Sequence, residues 1–150
     1  MSEYVGMNAD SIIAGFGSDE LIDLLARLFV GIGDEVIDLP PTFGMYPIVV
    51  ETQGGQVISV PRTKHFDVDV DAVAKAITKN TKLLFLANPN NPTGNISSDK
   101  TIRHLLELDL IVVVDETYFE FCGKTVAHLV GKYENLVVLR SLSKLSLIHI

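Results

Sequence analysis

Cysteine is almost missing from this sequence: Cys122 stands alone, so neither an internal disulfide nor a thiolate zinc cage can form. The role of a small buried hydrophobe suits it better than that of a nucleophile. The four histidines, His65, His104, His128 and His149, share no metal-ligand spacing, and no metal is implied. Basic runs are absent as well. Nineteen acidic residues against twelve Lys and Arg leave a formal charge of -7, which opposes binding to a phosphate backbone and excludes nucleic acid as an expected partner. The longest apolar runs, 83–87 and 110–114, are strand-length, far short of the roughly 20 residues that span a bilayer. The first residues carry no charged-then-apolar export pattern. A cytoplasmic protein without a membrane partner is the expectation. Low-complexity segments, internal repeats and long linkers are missing too.

What is present is a globular composition, 47% hydrophobic and 21% charged, in 150 residues, about the size of one domain or part of one. Short apolar, β-branched runs alternate with amphipathic stretches, the signature of an α/β fold. The runs at 11–15, 35–39, 56–60, 82–87, 111–115 and 136–141 read as six strands. Between the first two, Leu21, Ile22, Leu24, Leu25, Leu28 and Phe29 recur at helical spacing, and the Gly31 and Gly33 pair stops the helix. Further helices are expected near 43–52, 70–77, 97–108 and 126–133. Val112, Val113 and Val114 form an unbroken apolar run that ends in Asp115 and Glu116. That is the pattern of a central parallel strand whose carboxyl end meets solvent or ligand.

Three polar clusters sit at the ends of predicted strands. Asn88-Pro89-Asn90-Asn91-Pro92-Thr93-Gly94 forms a rigid turn, dense in Asn and Pro beyond what a plain connection needs. Asp115-Glu116-Thr117-Tyr118 and Ser141-Leu142-Ser143-Lys144 close the next two strands. In an open α/β sheet such ends converge on one crevice. Gly15-Phe16-Gly17-Ser18-Asp19-Glu20 is a strand-to-helix turn, but Glu20 stands where a dinucleotide fingerprint needs its third glycine, and no nucleophile elbow fits. Two readings of this turn remain: a helix N-terminus that receives a phosphate, or a plain Ser18 N-cap with acidic first-turn residues. Taken alone, the segment favours the second.

Together with Pro-Thr-Phe-Gly-Met-Tyr at 41–46, these segments resemble the fold-type I pyridoxal-phosphate enzymes, class I/II of the aspartate aminotransferase superfamily, and most closely its histidinol-phosphate branch. The likeness runs from about Ile12 to Lys144, and its specificity lies in five motifs occurring in order and spacing. It implies a three-layer α/β/α fold with a mostly parallel sheet, an incomplete large domain over 1–144, and pyridoxal 5'-phosphate as cofactor. It also implies a role for each match. Lys144 would condense with the cofactor's aldehyde and shuttle the substrate's proton; Asp115 would pair with the ring nitrogen; Asn91 and Tyr118 would hydrogen-bond the ring oxygen. Phe43 would stack on the ring, although a plain core Phe is nearly as good a reading. The amides of Ser18 and Asp19 and the hydroxyls of Ser141 and Ser143 would bind the phosphate. By the same resemblance the peptide bond before Pro92 is expected to be cis.

The implied reaction is amino transfer from a small-molecule donor to a 2-oxo acid, with histidinol phosphate and 2-oxoglutarate as the pair, in a cytoplasmic homodimer. Related lyases such as threonine-phosphate decarboxylase, and non-catalytic cofactor-sensing modules, resemble the same motifs and stay open. The pattern breaks after Lys144: Leu147 and Ile150 stand where the family has glycines, so 145–150 reads as a foreign tail. The family's N-terminal arm and C-terminal small domain are not recognisable. A truncated, inactive and poorly soluble chain is the expectation.

Overall fold

In the computed structural model, which describes residues 2–144, five strands form one parallel sheet in the order β2-β1-β3-β4-β5. They are β1 (Glu35–Asp38), β2 (Gln56–Ser59), β3 (Thr81–Ala87), β4 (Ile111–Asp115) and β5 (Leu136–Leu139). Five helices accompany them: α1 (Ser2–Val5), α2 (Ser18–Phe29), α3 (Met45–Thr52), α4 (Val70–Ala76) and α5 (Asp99–Leu106). None of the described helices is long and apolar enough to cross a membrane.

Strand periodicity builds the layers. Side chains alternate between the faces of a sheet. Leu84, Leu86, Val112 and Val114 pack with Val73 of α4 and Ile102, Leu105 and Leu106 of α5 in one buried cluster. Leu83, Phe85, Ala87 and Val113 pack with Ile22 and Ala26 of α2 and Tyr46, Val49 and Val50 of α3 in another. Because both faces are covered, the central strands read as continuous apolar runs rather than alternating ones. The expected three-layer α/β/α arrangement is the observed one.

Two expected elements do not form. The expected strand at 11–15 is absent: Ser11 ends a 3-10 turn over Ala9–Ser11, residues 12–15 are irregular, and Ile13 is 82% exposed, so the run buries no face. The 126–133 helix reduces to a 3-10 turn at Ala127–Leu129. Its start is capped, Val126 N–H donating to a Glu116 carboxylate oxygen at 2.7 Å and Ala127 N–H to Thr125 Oγ1 at 2.9 Å, but Gly131 at φ 82° leaves the helical region and stops the chain from continuing as a helix. The other helices agree with expectation to within a few residues at their ends, as caps dictate: Asp69 accepts from Ala72 N–H, and Ser98 from Thr101 N–H. Cys122 is half-buried rather than enclosed. The tail at 145–150 lies outside the described residues.

Candidate active site

The sheet's connectivity reverses between β1 and β3, and in such sheets the crevice lies beyond the strands' carboxyl ends. There the register sets Ala87, Asp115 and Leu139 side by side across β3, β4 and β5. A cleft of about 230 Å³ opens at this level. All nine residues singled out from the sequence line it: Ser18, Asp19, Phe43, Asn91, Asp115, Tyr118, Ser141, Ser143 and Lys144.

Alternation along β4 and β5 decides which polar residues face the cleft. Asp115 follows Val113 onto the α2/α3 side, and Ser141 follows Leu139 there. Their neighbours Glu116 and Arg140 turn to the opposite side and pair, Arg140 Nε donating to Glu116 Oε2 at 2.7 Å. Glu116 is fully buried and also accepts from Thr125 Oγ1 at 2.8 Å, while the Arg140 guanidinium lies 3.5 Å from the centre of the Phe119 ring. The sequence pair Asp115-Glu116 thus separates into one carboxylate at the cleft and one that ties two strand ends together.

Asp115 is buried and held on both oxygens: Oδ1 accepts from Thr117 N–H at 3.0 Å, and Oδ2 from the Tyr46 hydroxyl at 2.8 Å. It belongs to none of the ion pairs among the described residues. Ser141 Oγ and Ser143 Oγ are 2.8 Å apart, and Ser143 N–H donates back to Ser141 Oγ at 3.2 Å, a tight turn that aims both hydroxyls from one short segment. Lys144 Nζ stands 5.6 Å from the Tyr118 ring centre, so the amine and the phenol share one part of the cleft.

The Asn-Pro turn divides its labour in a way composition could not reveal. Asn88 and Asn90 are buried scaffolding. Asn88 Oδ1 accepts from Ser97 N–H at 2.7 Å, and Asn90 joins Arg62, Thr42 and the Pro41 carbonyl, linking this turn to the one after β1. Asn91, half-buried, is the asparagine at the cleft. The peptide bond before Pro92 is cis, as expected, and so are those before Pro41 and Pro89.

At the start of α2 the N-cap is Gly17, at φ 86° and without a side-chain capping bond, and Ser18 is the buried first helical residue. The Ser18 N-cap reading is therefore corrected. The first-turn amides receive no cap, and the positive φ explains why glycine stands there. Glu20 does not face the cleft with its carboxylate; Oε2 folds back to accept from Phe16 N–H at 2.5 Å. Phe43 meets Tyr46 edge-on, ring centres 5.6 Å apart; it is half-buried, packs against the core on the α2/α3 side and also lines the cleft, so it is not enclosed core.

The sequence reading missed Tyr46, Thr117 and Phe16 as cleft residues. Tyr46 ends one of the quoted motifs, a signal of position without a role. Burial first, and then the Asp115 carboxylate, push its hydroxyl well above the ordinary phenol range, so it remains a donor.

Comparison with known proteins identifies the family and the fold. The family model for aminotransferase class I and II matches residues 1–146. Histidinol-phosphate aminotransferase of Dehalococcoides mccartyi is 49% identical over 144 residues, which are 96% of this chain and 40% of that protein. The protein of the same name from Roseiflexus castenholzii is 50% identical over 145 residues, 96% of this chain and 39% of its own length. The chain thus spans about 40% of the length of these relatives. Among solved structures, histidinol-phosphate aminotransferase of Clostridium acetobutylicum superposes with a TM-score of 0.86 over 95% of this chain and 43% of its own, at 23% identity, a likeness of fold.

Proposed function

Because this chain belongs to the aminotransferase class I and II family, we propose that its cleft binds pyridoxal 5'-phosphate and that the whole protein transfers an amino group from histidinol phosphate to 2-oxoglutarate. The observation that carries the reading is the meeting, in one cleft, of a buried carboxylate without an ion-pair partner among the described residues, an amine, two paired serines and an uncapped helix N-terminus. That donor set fits the cofactor: hydroxyls and helix amides suit a phosphate, the carboxylate suits a protonated ring nitrogen, and the aromatic face of Phe43 suits the ring. When bound, pyridoxal phosphate supplies an aldehyde that condenses with amines and a ring that draws electrons from the substrate's α-carbon.

The chain's own residues do the rest. Lys144 would hold the cofactor through its amine and, with that amine free, would take and return the proton of the substrate's α-carbon at Nζ as general base and acid. Asp115 keeps the ring nitrogen protonated, while Asn91 and Tyr118 hold the ring oxygen and with it the ring's orientation. Ser18, Asp19, Ser141 and Ser143 anchor the phosphate. In this reading residues 1–144 are part of the large, cofactor-binding domain, and the protein is a cytoplasmic homodimer. The substrate assignment is supported by the names of relatives at 49% and 50% identity.

The test is covalent. The full chain mixed with pyridoxal phosphate is expected to gain a visible absorbance, and borohydride to fix the cofactor's mass on the peptide that carries Lys144. Equal labelling of a Lys144→Ala variant would overturn the reading.

A further inference from the structure

Resting on the reading that Asp115 pairs with the cofactor's ring nitrogen, we propose that Tyr46 is a positioning residue of the reaction. Its hydroxyl orients the Asp115 carboxylate toward the cleft and satisfies it without cancelling its charge.

A carboxylate as buried as Asp115 needs compensation, and there are two ways to supply it. A Lys or Arg partner would neutralise it and leave little attraction for a cation arriving in the cleft. Neutral donors satisfy its lone pairs and leave the charge in place. The second arrangement is the one present: one neutral donor for each oxygen, Tyr46 Oη at 2.8 Å from Oδ2 and Thr117 N at 3.0 Å from Oδ1. Each oxygen keeps a further lone pair for the ring nitrogen.

Tyr46 is built for a fixed direction. Its ring stacks on Phe85 of β3 with centres 4.7 Å apart and planes 3° apart, and Phe43 meets it edge-on. At 1% exposure the hydroxyl cannot turn to bulk water. The charged groups that act on it are Asp115, Asp38 and Arg62, and burial together with the two carboxylates outweighs the guanidinium and keeps the phenol protonated. Core packing alone would be met by phenylalanine at this position; the oxygen is the part that serves Asp115.

A double-mutant cycle on the full chain separates the roles. Pyridoxal phosphate dissociation constants are measured for the wild type, Tyr46→Phe, Asp115→Asn and the double variant. An analogue with carbon in place of the ring nitrogen is measured beside them. The expectation is about tenfold weaker binding in Tyr46→Phe, the scale of one hydrogen bond to a charged group. The expectation further holds that this loss shrinks below about twofold in the Asp115→Asn background and for the analogue, because the pathway through the charge is gone. Equal losses in both backgrounds would mean packing and would overturn the proposal. So would an unchanged Tyr46→Phe beside an impaired Asp115→Asn, which leaves the Asp115 reading intact. An Asp115→Asn variant that binds as the wild type removes that reading, and this proposal with it.

Discussion

Asp38 ends β1 in a buried position, and its Oδ1 has no hydrogen-bond partner among the described residues. Desolvation pushes its carboxyl above the ordinary range, against the Leu39 backbone N–H and the Arg62 guanidinium, which pull it down. The folded chain therefore keeps this proton to a higher pH than the unfolded chain. The associated stability is present below the ordinary carboxylate value of about 4 and is lost as pH rises through the folded value. Asp38→Asn is expected to flatten that decline. Urea midpoints of both proteins across mildly acid pH check it, and parallel curves would clear Asp38 of the effect. Residues differ in how openly they declare themselves. Asp115 is legible because a charge closing a run of valines has no place in a plain strand. Tyr46 is not, because a tyrosine within an apolar helix looks like packing, and its partner lies 69 residues away.

At the scale of elements, the alternation of β4 and β5 sends Glu116 and Arg140 away from the cleft, where they join the two strand ends. Arg140 contributes through Nε to Glu116, through an amino group to Thr125 at 2.9 Å, and over the Phe119 ring. Arg140→Leu leaves a fully buried carboxylate short of its cation, with an expected loss of about 3–5 kcal/mol in unfolding free energy. Adding Glu116→Leu should return part of that loss in the same chemical-denaturation experiment, since the orphaned charge goes with it. A double variant no better than the single would argue that packing by the guanidinium stem dominates. Helices α2–α5 and strands β1–β5 were readable from periodicity. Residues 12–15 and 126–133 were not, because an apolar run makes a strand only where a neighbour accepts its hydrogen bonds. Likewise, the helical period after Val126 yields at Gly131, whose positive φ ends the turn after its first few residues.

At the scale of the molecule, the described surface leaves large apolar side chains in water: Leu28 at 72%, Ile32 at 95% and Phe16 at 97% exposure. Leu24 and Leu28 share one face of α2, with Ile32 just past its end. Exposed apolar surface of this kind favours association. The paired variant Leu28→Lys with Ile32→Lys is expected to raise the concentration at which the chain stays monodisperse in light scattering, with its circular dichroism unchanged. No gain would place the association elsewhere.

The α/β class and the polar clusters at the strand ends could be read from the residues alone, while the resemblance to a family is what named the nine residues that line the cleft. The class and the clusters are local: a charge at the end of an apolar run, a proline-framed turn and an amphipathic period are all legible within a few neighbours. The order of the strands, the division of Asp115 from Glu116 and the approach of Tyr46 to Asp115 emerge only in the folded chain. Each of these depends on which side chains a distant segment brings close, and packing across the sheet, not spacing along the chain, settles that.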